Sequence, residues 1–248
     1  MPLPAPGTRD RLVVATGRTP NTAGIGLEKA GVELNPAGHV KVDEHLATTA
    51  DGVWAMGECA GSPQFTHVAF DDFRVVRDNL HGASRTTVGR LVPFCLFLDP
   101  ELARVGCSET EARRRGIRYR LLTLPMAAVL RTRTLSEPRG FLKMLIAADS
   151  DQILGFTAFG AEASELMTAV QVAMVGQMPY TTLRTAIFTH PTAAEGLTFP
   201  SRVHTGPNKG TLAWFPLRHH RVLQVLHNPR YAGAFALRSN AKEIPPCR

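Results

Sequence analysis

The sequence predicts an α/β stretch over residues 1–91, an α+β stretch over residues 92–200, and a short, mainly helical basic tail over residues 201–248. Three observations support this. Short apolar runs closed by glycine alternate with helical spacing in the first part. Three strand-like runs precede a strong helix in the second. The whole net charge of +7 lies in the third, which holds eight Lys or Arg and one acid, while residues 1–200 balance at 20 and 20. A neutral body with a basic tail points to two units of different origin or partner.

The elements follow in order. "RLVVATG", Arg11 to Gly17, reads as a buried strand and turn. Gly24-Ile25-Gly26 reads as a plain loop, since no third glycine opens an amphipathic helix after it. "HVKVDEHLAT" alternates and reads as extended, and Val53 to Met56 reads as a short strand closed by Gly57. Val68, Phe70, Phe73, Val76 and Leu80 then recur near helical spacing, with Gly82 as the stop. Asp71 and Asp72 read as a pair on that helix face. A strand, a glycine and a helix start form the place where α/β proteins hold anionic or phosphate-bearing ligands.

The second unit opens with an apolar strand in "VPFCLFLDPELARVGC". Ser108-Glu109-Thr110-Glu111 matches a capping box, and Gly116 ends the helix it starts. "YRLLTLP", "FLKMLIAA" and "QILGFTAFG" are three strand candidates. "GAEASELMTAVQVAMVGQM" is a helix with Leu166, Ala169, Val170, Ala173 and Met174 on one face. Antiparallel strands followed by helices make an α+β layer.

Composition excludes several classes. Hydrophobic residues at 44% and charged residues at 20% suit a globular protein. No apolar run approaches the roughly 18 residues of a membrane span, and "MPLPAPGTRD" has no apolar core of a secretory signal. The expectation is a cytoplasmic chain without membrane association. Cys59, Cys95, Cys107 and Cys247 form no CxxC or CxxxxC pair, so reduced thiols are expected, without a metal site. "FTHPTAAEG" places His190 and Glu195 around Pro191, a histidine and carboxylate suited to acid–base work.

Four motifs, "LVVATGRTPNT", "TTADGVWAMGECAG", "VPFCLFLDPELARVGCSETEA" and "HPTAAEG", stand in the order found in the flavoprotein pyridine nucleotide–disulfide oxidoreductases, which residues 10–200 resemble. "FTHVAFDDFRVV" resembles the mercuric-reductase-like and reactive-chlorine-resistance members. The resemblance implies that residues 1–91 are the end of an NAD(P)-binding domain plus the second FAD-binding segment, and residues 92–200 a dimerisation domain. It implies that Gly57 and Glu58 match the second FAD contact, where the family usually carries Gly-Asp and the carboxylate accepts a hydrogen bond from the ribityl chain. Phe65, Thr66 and His67 match the segment near the flavin ring. His190 would be the acid–base residue and Glu195 the group that orients its ring, acting across a homodimer on the flavin and disulfide of the other subunit. A full enzyme of this kind passes hydride from NAD(P)H to FAD and electrons on to a disulfide or metal-ion acceptor. The FAD GxGxxG, the redox CxxxxC and the NAD(P) GxGxxG do not occur in these 248 residues. The expectation is a chain truncated at its N-terminus and inactive alone. A mercury substrate is unsupported, because Cys247 stands alone near the C-terminus.

The tail "WFPLRHHRVLQVLHNPRYAGAFALR" resembles the recombinase domain of serine recombinases through Leu226, Asn228, Pro229, Tyr231, Ala232 and Gly233. It leaves open a non-enzymatic dimerisation or weak nucleic-acid-binding module, or a fused gene remnant. Arg218, His219, His220, Arg221, Arg230 and Arg238 could meet phosphates.

Overall fold

The computed structural model describes residues 14–198, 200–202 and 212–214. The chain divides into two compact units, Met1–Arg90 and Leu91–Arg248. No helix among the described residues is long and apolar enough to cross a membrane.

The first unit is built mostly of turns. Val14 to Gly17 form no strand, and Val14 is 69% exposed. A run of β-branched residues makes a strand only where another strand takes its hydrogen bonds, and none among the described residues does so here. Arg11 to Val13 lie outside the described residues. The extended segments predicted from His39 to Thr48 and Val53 to Met56 appear as isolated antiparallel bridges: Leu34 with Val40, Val42 with Thr48, Ala47 with Trp54. The Gly24–Gly26 loop leads into a single 3-10 turn, Leu27–Ala30.

Helix α1 (Thr66–Leu80) is where the sequence predicts it, but it buries a different stripe. Val68, Asp72, Val75 and Val76 face inward, at i, i+4, i+7 and i+8. Phe70, Phe73 and Leu80 are exposed. The two phenyl rings stack at 5.9 Å, and the guanidiniums of Arg74 and Arg77 lie over them at 4.7 and 5.8 Å. Such cation–π contacts let aromatic rings remain at a surface.

The second unit is a five-stranded antiparallel sheet with spatial order β1-β2-β5-β4-β3. Its strands are β1 (Phe94–Leu96), β2 (Leu102–Gly106), β3 (Tyr119–Pro125), β4 (Phe141–Ala147) and β5 (Ile153–Phe159). The single apolar strand expected near Val92 is a hairpin, β1 and β2, because Asp99-Pro100 breaks the run. The three later strands lie where the apolar patterning places them.

Register sorts side chains onto two faces. Ala103, Ala158, Leu142 and Leu124 form one row, and Val105, Phe156, Met144 and Leu122 the next. All eight are buried. Helix α4 (Ala163–Val175) covers these rows with Ala163, Leu166, Met167, Val170 and Ala173. The opposite face carries the row Arg104, Thr157, Lys143, Thr123. Helix α2 (Glu109–Arg114) is tied to that face by charge: Lys143 Nζ meets Glu109 at 2.5 Å and Arg104 pairs with Glu111. The capping box is formed, with Ser108 Oγ accepting from the Glu111 N–H and Glu111 accepting from the Ser108 N–H.

Short helices α3 (Leu130–Thr134) and α5 (Tyr180–Thr185) complete the unit. Strand β6 (Pro200–Arg202) pairs with β7 (Leu212–Trp214), and the remainder of the basic tail, with its recombinase-like motif, lies outside the described residues.

Candidate functional site

His190 and Glu195 meet as their spacing suggests. His190 Nδ1 lies 2.8 Å from Glu195 Oε1. A carboxylate only accepts, so Nδ1 carries the hydrogen and Nε2 holds the lone pair in the neutral ring. The second carboxylate oxygen, Oε2, accepts from the Thr192 N–H at 3.0 Å. Both Glu195 oxygens are thereby engaged, and the carboxylate cannot turn away from the ring without breaking a backbone bond. The His190 side chain remains 42% exposed, against 21% for Glu195. Among the described residues Nε2 has no hydrogen-bond partner, and the side chain keeps much of its surface exposed.

The core holds this pair in place. Glu195 sits in a 3-10 turn, Ala193–Leu197, whose Ala193 and Leu197 are buried in the same cluster as the sheet rows. Gly196 backs directly onto that cluster. A Cβ there would lie 2.8 Å from Leu142 Cδ1 and 3.0 Å from Val129 Cγ2. The His190–Pro191 peptide is cis and opens the turn.

The other predicted residues lie in the first unit. Gly57 begins a 3-10 turn, Gly57–Ala60, at φ +74°, a region that side chains other than glycine rarely adopt. Its missing Cβ would touch the Ala69 Cβ at 3.4 Å, so the turn rests on α1. Glu58 Oε1 accepts from Arg18 Nη1 at 2.6 Å, with side chains 38% and 66% exposed. An ion pair this exposed is worth roughly 0–1 kcal/mol and yields readily to a competing partner. Phe65 precedes α1 and Thr66 begins it, with no side-chain cap at that helix start. The Phe65 and His67 rings stack at 5.2 Å and 17°.

Sequence reasoning gives Asp72 no role at the Gly57–Glu58 turn. Asp72 is fully buried, accepts from the Gly57 N–H at 2.8 Å and pairs with Arg90 Nη1 at 2.5 Å. Asp71 pairs instead with Arg85 at 2.6 Å. A buried acid in the middle of a helical apolar stripe is the sequence signal for such a role. The thiols of Cys59, Cys95 and Cys107 are free. Burial, with Glu101 nearby, raises the pKa of the Cys95 thiol and keeps it protonated. No group of three or more potential metal ligands occurs among the described residues.

These features fit part of a flavin site. An outward carboxylate on a tight glycine turn suits a polyhydroxyl chain. A helix start without a side-chain cap, flanked by aromatic rings, suits an electron-rich ring edge through its dipole. The departure is the glutamate, which reaches Arg18.

Comparison with known proteins agrees with the motif order. A family model described as pyridine nucleotide-disulphide oxidoreductase, dimerisation domain, matches residues 92–199, and one described as pyridine nucleotide-disulphide oxidoreductase matches residues 8–72. The probable pyridine nucleotide-disulfide oxidoreductase RclA of Escherichia coli is 41% identical over 190 residues, covering 76% of this chain and 43% of that protein. A mercuric reductase of Shigella flexneri is 34% identical over 188 residues, covering 76% and 33%. The solved Cu(II) complex of the HOCl-induced flavoprotein disulfide reductase RclA from E. coli superposes with a TM-score of 0.70 at 41% identity, over 74% of this chain and 42% of that one. The chain thus spans less than half the length of the relatives it matches.

Proposed function

Over residues 8–72 and 92–199 the chain belongs to the pyridine nucleotide–disulphide oxidoreductase family, and from that premise we propose that it supplies the acid–base pair and the second FAD contact of an FAD-dependent NAD(P)H oxidoreductase that works as a homodimer. The observation that carries the proposal is the His190–Glu195 contact, with both glutamate oxygens engaged and the His190 side chain 42% exposed. Nε2 takes the proton of a thiol, and Glu195 stabilises the imidazolium that results. Returning the proton completes the cycle. By the family resemblance that thiol is one of a CxxxxC redox pair, which these 248 residues do not themselves hold. Ile187, three residues before His190, is fully exposed, an apolar side chain of the kind a subunit interface beside the ring would cover.

Gly57 and Glu58 hold the ribityl chain, and Phe65, Thr66 and His67 face the flavin ring. Bound FAD supplies the two-electron relay between NAD(P)H and a disulfide or metal-ion acceptor. The Cu(II) in the solved relative supports the metal-ion class. These residues alone carry out no turnover.

The test is an absorbance spectrum of the full chain, incubated with FAD and passed through gel filtration, with its mass measured by light scattering. A retained flavin band on a dimer supports the proposal. A colourless monomer overturns it. A second reading, in which the tail binds nucleic acid, is favoured by the concentration of the net charge in residues 201–248. It predicts DNA affinity that falls steeply with salt, and no flavin band.

A further inference from the structure

We infer that Asp72, held by Arg90, is a positioning residue for the Gly57–Glu58 turn, an inference that rests on the reading of Glu58 as a cofactor contact. A carboxylate with no exposed surface is costly unless it is paired and hydrogen-bonded. Asp72 has both kinds of partner, the Gly57 N–H at 2.8 Å and Arg90 Nη1 at 2.5 Å. The acceptor of the Gly57 N–H therefore comes from a side chain fifteen residues onward, inside α1. The turn is also pressed onto α1 at Ala69. The direction in which Glu58 leaves the turn is thus set by the same helix whose start carries Phe65, Thr66 and His67.

Arg90 secures the arrangement from the other side. Besides Asp72 it lies 3.4 Å from Ser62 Oγ, just past the glycine that closes the turn, and 3.5 Å from Asp71. Its side chain is 18% exposed. Arg85 engages Asp71 at 2.6 Å and Asp78 at 3.2 Å, and neither bond involves Asp72. Asn79 fixes the backbone of Arg85 through two bonds, 2.7 Å to its N–H and 2.9 Å from its carbonyl. The segment from Arg85 to Arg90 thereby folds back along α1 and brings a guanidinium beneath the turn.

The test uses the full chain with Asp72→Ala, Asp72→Asn, Arg90→Ala and, as a control that leaves Asp72 paired, Arg85→Ala. Two quantities are read: amide hydrogen exchange in peptides covering residues 57–62, and FAD uptake followed by flavin fluorescence. In Asp72→Ala the exchange should accelerate and FAD binding weaken, each about tenfold, the loss of one buried hydrogen bond. Asp72→Asn retains an oxygen for the Gly57 N–H, so it should recover most of the exchange protection. Arg85→Ala should leave residues 57–62 unchanged. If Asp72→Ala unfolds the whole first unit, seen as exchange throughout α1, Asp72→Asn and Arg90→Ala decide. Wild-type exchange rates in Asp72→Ala, or equal effects from Arg85→Ala, would overturn the inference. Failure of the wild-type chain to take up FAD would instead remove the cofactor reading of Glu58, while the exchange rates still decide whether Asp72 holds the turn.

Discussion

The two units are stabilised by different physics. In the second, buried residues from the sheet, α4 and the Ala193–Leu197 turn form one continuous cluster that includes Phe156, Leu142 and Val170. In the first, the clustered core among the described residues is Leu46, Val75 and Val76, with Val42 against it. Its organisation rests on side chains that satisfy backbone groups: Asp72 on Gly57, Asn79 on Arg85, Asp43 on His45 and Ala47. Hydrophobic burial is non-directional and tolerates repacking, whereas a buried hydrogen bond either has its partner or does not. The His190–Glu195 pair stands on the first kind of support and the Gly57–Glu58 turn on the second.

Large core truncations should break this contrast most visibly. Phe156→Ala removes a ring buried at 1% exposure and should cost about 3–5 kcal/mol in urea unfolding of the second unit. Val75→Ala, in the small cluster of the first unit, should cost less; an equal loss would mean the first unit has a core of the same quality. Gly196→Ala comes next. Its new methyl meets Leu142 and Val129, so it should cost about 1–3 kcal/mol and also displace Glu195 from His190. NMR of the His190 ring in that variant should show the two tautomers mixing. A ring still locked with Nδ1 protonated would separate the site from the core.

Charge makes smaller contributions. The hydrogen bond from Lys143, aided by the charges of Lys143 and Arg113, lowers the Glu109 pKa below its ordinary value of 4.5, although partial burial opposes this. A carboxyl depressed in the folded state adds stability above its unfolded pKa and loses it as pH falls through the folded one. The midpoint of unfolding of the second unit should therefore drop as pH falls below about 4.5, and Glu109→Gln should flatten that slope. Ser108→Ala, which removes the helix cap beside it, should cost about 1 kcal/mol. Arg18→Ala should change stability by less than about 0.5 kcal/mol, since the pair with Glu58 is exposed. A larger loss in thermal unfolding would show that Arg18 supports the turn as Asp72 does.

Much of the second unit is legible in the sequence. Strands β3, β4 and β5, helix α4 and the Ser108 capping box lie where apolar patterning and cap residues place them, because each is a local property of a few neighbouring residues. The His190–Glu195 contact is legible for the same reason, as five residues around a proline span one turn. The first unit is far less so. A helical period in Val68, Phe70, Phe73, Val76 and Leu80 announces α1 but not its buried side, and the true stripe runs through Asp72.

Residue order alone thus determined β3, β4, β5, α4, the presence of α1, the Ser108 cap and the pairing of a histidine with its carboxylate. Tertiary structure decided the rest: that the β1–β2 hairpin joins the sheet through β2 against β5, that Gly196 lies against Leu142, and that Asp72 reaches Gly57 while Arg90 reaches Asp72. Local conformational preference acts over a few residues. A contact across fifteen or more exists only once the chain has folded back, and there burial dictates which polar groups must find each other.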